Sequence, residues 1–511
     1  MNKKKWKNPI LPGFYPDPSV CRVGEDYYLV NSTFACFPGV PIFRSRDLLN
    51  WTQIGNILDR PSQLPLGSSG HSEGIYAPTI RYHEGTYYMV TTNVGNGGNF
   101  LVKASDPAGP WSDPCWLEGA DGFDPSLIFE DDGTCYYIGT KERSEGGTYN
   151  GDNEIWIQKL NLETMKLEGE PTALWYGFMK HAIWPEGPHI LKKDEWYYIL
   201  YAETGTAFEH CIAVARSRNL MGPYEGNRCN PIFTHRHLGK QYPITCVGHA
   251  DLVDDGKGNW YMVMLACRPW EGYTLMGRET FLAEVVWEDD WPVVNPGVGH
   301  LIPGEEDENA EKYRKSYSFA KDQWPMEMLR LRTPGDGVME MQDGTLRMHM
   351  AGASLRDKAT PAFAAVRQQH HHFAVETTFR FSSDCSAADC AGLGYMQNED
   401  NQIRAEVFGE AGHRSLRVVN CVKDTEEEIS SVPAEAGEAI TLRFEVSGRK
   451  ASVYYRGQKE WITAAEDICL THLSTEEAGG FVGCIIGMYA SGSGQNNGAW
   501  ADFTDFLYEE I

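Results

Sequence analysis

Asp17, Asp124, Glu186 and His249 lie in four short stretches, YPDPSVCR, FDPSLIFE, PEGPHILK and GHADLVDD. Ten to twelve residues after each comes a polar turn and an aromatic run, whose first aligned tyrosine is Tyr27, Tyr136, Tyr197 or Tyr261. A fifth stretch, YAPTIRYH, places Ala77 ten residues before Tyr87 in the same pattern. Five equivalent positions therefore carry three carboxylates, one imidazole and one small residue.

Three acids brought together repel, and burying them is costly unless a reaction uses them. Two carboxylates flanking a scissile bond are the equipment of glycoside hydrolysis, where one protonates the leaving oxygen and the other activates water or attacks directly. Glu186, set between Pro185 and Pro188 with Trp184 close by, has the apolar frame that raises a carboxylic acid's pKa and suits the acid role. Asp17, held between Pro16 and Pro18, suits the base. Asp124 is then a third charge that keeps Glu186 protonated and oriented. Read one at a time, Asp17 and Asp124 are ordinary Asp-Pro turn residues; their matched positions set them apart. A second reading makes the acids and His249 a calcium site near the axis. Calcium takes six to eight oxygen ligands, so His249 would hold such an ion through water, or would be a satisfied core histidine.

The elements that must position these residues follow from the repeat. GEDYYLV, EGTYYMV, DGTCYYIG, KDEWYYIL and KGNWYMVM are turns followed by β-formers and aromatics, each the second arm of a hairpin. A third strand follows each one, as in IFRSRDLLNW and CIAVARSRNLMGPY. Several strands per unit, repeated five times with almost no helix, predict a five-bladed β-propeller. The first strand of a blade is innermost, so the five positions converge on one channel.

Residues 301–315, LIPGEEDENAEKYRK, are acidic and poor in β-formers. The expected organisation is a propeller over 1–305, a linker over 306–320 and a second domain over 321–511. Alternating stretches such as FAVETTFRF, AITLRFEV and FVGCIIGMYA predict that this domain is a β-sandwich. The Gly-rich loop 491–500 is the segment expected to reach the propeller mouth.

Composition bounds the partners. With 45 basic and 71 acidic residues the formal charge is −26, a field that repels phosphate backbones and argues against nucleic acid. No run of about 18 apolar residues suggests a membrane span. The lysine-rich opening is followed by prolines instead of an apolar stretch, which predicts a cytoplasmic protein. The 13 cysteines are scattered and never in CxxC spacing, so buried thiols are expected before disulfides or metal ligands. A homo-oligomer is compatible with all of this.

YPDPS, FDPS, the Glu-Gly-Pro-His stretch, GHAD and LMGRETF together resemble glycoside hydrolase family 43, in its branch of β-xylosidases and α-L-arabinofuranosidases. The resemblance runs from STFACFPGVPIFRSRDLLNW to ADFTDFLYEE, nearly the whole chain. It implies a five-bladed propeller, a C-terminal sandwich that narrows the pocket, and an inverting reaction without a required cofactor. By motif, Asp17 is the base, Asp124 the pKa modulator and Glu186 the acid. Arg278 matches an arginine that contacts sugar hydroxyls, a role suited to its rigid donor fork, and Phe34 matches an aromatic flank of the first sugar subsite. Arg278 could otherwise be a surface ion pair with Glu279, and Phe34 ordinary core. Tyr76 stands where xylosidases of the family carry tryptophan, and Lys141 and Glu142 stand where another pocket tryptophan is usual. The substrates implied are short oligosaccharides ending in xylose or arabinofuranose. A non-catalytic glycan-binding propeller and a retaining, invertase-like enzyme are the competing readings; the invertase motif Asn-Asp-Pro-Asn is absent.

Overall fold

The aromatic runs Asp26–Val30, Thr86–Val94, Cys135–Glu142, Trp196–Glu203 and Trp260–Cys267 each lie second in a four-stranded antiparallel sheet. Their period-two pattern sends one tyrosine of each pair to either face, where it fills the gap to the next sheet. Tyr28 meets Tyr87 edge-on at 5.2 Å, Tyr88 meets Phe129 at 5.5 Å and Tyr198 meets Trp287 at 4.8 Å. In the computed structural model, residues 7–304, 311–319, 323–410, 412–434, 439–456, 460–494 and 498–511 are described.

The five sheets are the blades of a propeller. Their first strands, Ser19–Val23, Gly74–His83, Phe123–Phe129, Glu186–Lys193 and Thr245–Asp254, touch one another in ring order, and the fifth touches the first. Ring closure is made by the chain start. Ile10 and Leu11 donate backbone N–H groups to Thr280 O at 2.9 and 3.2 Å. The Asn8 side chain exchanges two hydrogen bonds with the Leu282 backbone at 2.9 Å each.

The second domain is a sandwich of an eight-stranded and a six-stranded antiparallel sheet around one large apolar core. Its last strand, Trp500–Glu510, lies inside the larger sheet and pairs with Arg314–Ser318. That edge strand falls within the stretch expected to be linker, 306–320. Residues 305–310 and 320–322 of the same stretch lie outside the described residues. Among the described residues no helix is long and apolar enough to cross a membrane.

The two domains share a seam built from backbone. Arg330–Leu331 pairs with Cys36–Phe37 of the first blade, and the Arg332 guanidinium donates to Ser69 O at 2.7 Å. Gly277, at φ 71°, and Gly483 approach so closely that a Cβ on Gly277 would lie 2.7 Å from the Gly483 Cα. A Cβ on Gly483 would in turn overlap the Met276 carbonyl. We expect Gly483→Val to cost about 1–3 kcal/mol by overpacking this seam, read as a thermal midpoint several degrees below wild type. An unchanged midpoint would show that the seam yields freely.

Candidate active site

The inner strands do not present their functional residues from regular β-structure. Pairing with the second strand is broken by a bulge between Phe123 and Ser126, between Glu186 and His189, and on both sides of Gly248 up to Ala250. Such bulges re-aim a side chain and recur beside active sites. Asp17, Asp124 and His249 have φ of 52°, 52° and 38°, and Gly187 next to Glu186 has φ 58°. Left-handed backbone at such residues costs about 1–3 kcal/mol each and persists where the surroundings enforce it. Here the enforcement is local. Pro185 O accepts the Thr140 hydroxyl at 2.6 Å, and Pro188 O accepts the Ser126 hydroxyl at 2.5 Å. The two prolines that flank Glu186 are thus tied to the neighbouring blade.

Asp17, Asp124, Glu186 and His249 converge at the floor of one cavity of about 1050 Å³. His249 Nδ1 stands 3.5 Å from Asp17 Oδ1 and 3.9 Å from Asp124 Oδ2. A Cβ on residue 187 would lie 2.7 Å from His249 Nε2, so only glycine fits between acid and imidazole. Arg278 Nη1 donates to Asp17 Oδ1 at 2.8 Å, and Ser32 Oγ donates to Asp17 Oδ2 at 2.6 Å. The Gly187 N–H donates to Asp124 Oδ2 at 3.2 Å.

These contacts separate the three carboxyls. Burial alone would raise Asp17, but the Arg278 guanidinium, His249 and Ser32 outweigh it and hold the carboxyl below its usual range. Asp124 is pushed up to about 6 by burial, with the Asp17 charge adding to it and His249 opposing. Glu186 is raised well above the ordinary carboxylate value by burial, then by the Asp124 and Asp17 charges. Carboxyls of lowered and of raised proton affinity therefore share one cavity, which is the divergence that general base and general acid need.

Arg278 does not pair with Glu279, which is held instead by Arg268 through two bonds of 2.7 Å. Beyond Asp17 its fork reaches Thr206 Oγ1 at 3.3 Å and Phe481 O at 3.1 Å. Phe34 lines the cavity, stacked on Phe14 at 5.7 Å and Phe481 at 6.2 Å, with Tyr76 tilted against it at 5.1 Å. Ala77, expected with Tyr76 and His249 among the substrate-binding residues, is buried beside Tyr76 and, unlike those two, does not line the cavity. Lys141 lies over Trp156 at 4.8 Å, away from the cavity wall.

Several wall residues were invisible to the repeat. Trp184 covers Gly151 and Gly205, where an added Cβ would come within 3.0–3.1 Å of its ring; its place in WPEGPH was the available signal. Thr206 and Phe208 follow the second strand of the same blade. Phe481 comes from the sandwich, on a segment fixed to the propeller by Thr274, whose N–H and hydroxyl donate to Glu476 at 2.7 and 2.8 Å. The Ser72 hydroxyl accepts the Phe481 N–H at 3.0 Å. The described part of the loop expected there, 491–500, does not reach the cavity: residues 491–494 and 498–500 do not line it, and Gly492 N–H donates to Ala351 O within the sandwich at 2.8 Å. Residues 495–497 lie outside the described residues.

Because the Asp124 charge helps keep Glu186 protonated, Asp124→Asn should lower the Glu186 pKa. The alkaline limb of kcat/KM, where the acid loses its proton, is expected to move to lower pH. A limb that stays in place or rises would remove Asp124 from that role.

The family model for glycosyl hydrolases family 43 matches residues 6–292, and that for the beta xylosidase C-terminal Concanavalin A-like domain matches residues 316–509. A xylosidase/arabinosidase of Butyrivibrio fibrisolvens is 48% identical, with 99% of each chain covered. A non-reducing-end α-L-arabinofuranosidase of Bacteroides ovatus is 34% identical over 99% of this chain and 94% of its own. The crystal structure of a xylan β-1,4-xylosidase from Bacillus halodurans superposes with a TM-score of 0.90 at 32% identity, covering 99% of this chain and all of that one. Carboxyls of lowered and of raised proton affinity at the floor of a propeller thus meet full-length likeness to such enzymes, and the chain belongs to glycosyl hydrolases family 43.

Proposed function

We propose that the protein is an exo-acting, inverting glycoside hydrolase that releases single terminal pentoses, β-D-xylosyl or α-L-arabinofuranosyl, from short xylan- or arabinan-derived oligosaccharides. The observation that carries this reading is the split between Asp17, held ionised by Arg278, and Glu186, held protonated by burial and two neighbouring charges. Asp17 takes a proton from water as the water oxygen attacks the anomeric carbon. The glycosidic bond breaks, and Glu186 gives its proton to the departing oxygen. Asp124 remains a fixed charge that sets the acid's affinity for its proton. Phe34, Tyr76 and Trp184 offer flat apolar walls to a sugar ring, while Arg278 and Thr206 offer donors to its hydroxyls.

Exo action is supported by the sandwich. Phe481 stands over Phe34 and Tyr76 at 6.2 and 5.9 Å and walls the cavity from the sandwich side. The chemistry needs no cofactor. A calcium ion on the axis belongs to the proposal only as a hydrated ion held by His249 through water. Among the described residues no group of three or more His, Cys, Asp or Glu is arranged to ligate a metal directly. A cytoplasmic location is also proposed, supported by 13 cysteines that are all free. One chain builds the whole cavity, so the reading requires no second copy.

Glu186→Gln should lose about 10²–10⁴-fold in kcat on xylobiose and far less on nitrophenyl pentosides, whose leaving groups need little protonation. Asp17→Asn should abolish both activities, because no good leaving group replaces the activated water. Equal losses on the two substrates for Glu186→Gln would dismiss it as the acid. The first-formed sugar should have inverted configuration by NMR; retained configuration would contradict the mechanism. Exhaustive chelation should leave turnover in place, and a permanent loss restored only by a transition metal would overturn the metal-free reaction.

A further inference from the structure

His210, just ahead of the strand Cys211–Ser217, is buried beside Glu186. Its Nδ1 lies 3.3 Å from the Cys246 carbonyl oxygen. A carbonyl only accepts, so Nδ1 carries the ring proton and Nε2 presents a bare lone pair. That Nε2 has no partner among the described residues and stands 3.9 Å from Glu186 Oε1. Room for the ring is made by Gly248, where any Cβ would overlap it. Burial, then His249 and Arg278, push the imidazole down to about 3, with the Cys246 carbonyl and Asp17 opposing, so it stays neutral during turnover. Glu186 accepts and donates no other side-chain bond recorded among the described residues, while Asp124, Asp17 and Arg278 act on it through charge.

An unpaired buried acceptor is costly, and this one faces a carboxyl that must arrive protonated. We infer that His210 is a positioning residue for the acid: the Glu186 carboxyl turns to donate its O–H to His210 Nε2, which keeps the proton on the acid until a leaving oxygen takes it. The proton then moves from Glu186 to that oxygen, and His210 neither gains nor loses one. The inference rests on the reading of Glu186 as the acid.

Two polar substitutions separate this role from a structural one. In His210→Asn the amide still reaches Cys246 O but places no acceptor toward Glu186; in His210→Gln the amide oxygen falls near the position of Nε2. His210→Asn is expected to move the alkaline limb of kcat/KM about one pH unit lower, and to lose about tenfold more on xylobiose than on a nitrophenyl pentoside. His210→Gln should keep both close to wild type. The inference fails if His210→Asn leaves the limb and the substrate ratio unchanged, or if the two variants lose equally. Glu186→Gln measured alongside keeps the cases apart: if it shows the leaving-group split and His210→Asn does not, the acid stands and the role of His210 falls.

Discussion

The site depends on where one positive charge is placed. Arg278 Nη1 lies 2.8 Å from Asp17 Oδ1, so the guanidinium lowers the Asp17 pKa most strongly and only weakly opposes the rise at Asp124 and Glu186. Charge interactions fall with distance and grow in a dry channel. A second cation, Arg81, lies deeper in the channel and is occupied by Asp251 at 2.9 Å and by His189 Nδ1 at 2.9 Å. The floor beneath the site is therefore internally balanced and does not compete for the protons above it.

Such a placement demands rigid geometry, and the backbone supplies it. A plain β-strand would send residues 17, 124 and 186 straight along the channel wall. The bulges and left-handed residues turn the side chains toward one point, and the hydroxyls of Thr140 and Ser126 fasten the turned segment to its neighbour. The chain start pairs with the fifth blade at Leu11 and Thr280 and so closes the ring that carries these turned segments.

The propeller was legible because its signal is local and repeated: each tyrosine pair is a complete hairpin arm, readable without its partners. The convergence of Asp17, Asp124, Glu186 and His249 was legible for the same reason. The longest offsets, at Asp124 and His249, have their cause in longer hairpin turns, closed by Phe129 with Cys135 and Asp254 with Trp260, where the other three blades close by a tight turn such as Val23 with Asp26. Trp184 and His210 lie outside the period, on connections whose course is set by packing against Gly151, Gly205 and Gly248, and no spacing rule reaches them. Phe481 was hidden by sequence distance: it meets Phe34 only after both domains have folded. The Gly-rich loop 491–500 looked the better candidate because glycines signal turns, not destinations.

Phe481 also shows why the second domain belongs to the chemistry as well as to the shape of the pocket. Its carbonyl accepts from Arg278 Nη2 at 3.1 Å, while Nη1 of the same fork holds Asp17. A guanidinium is planar and rigid, so fixing one arm fixes the other. The sandwich therefore helps to aim the charge that lowers the Asp17 pKa, and the Phe481 ring closes over Phe34 and Tyr76 from the same segment. Docking of the two domains, the shape of the cavity and the ionisation of Asp17 are thereby coupled through a single side chain.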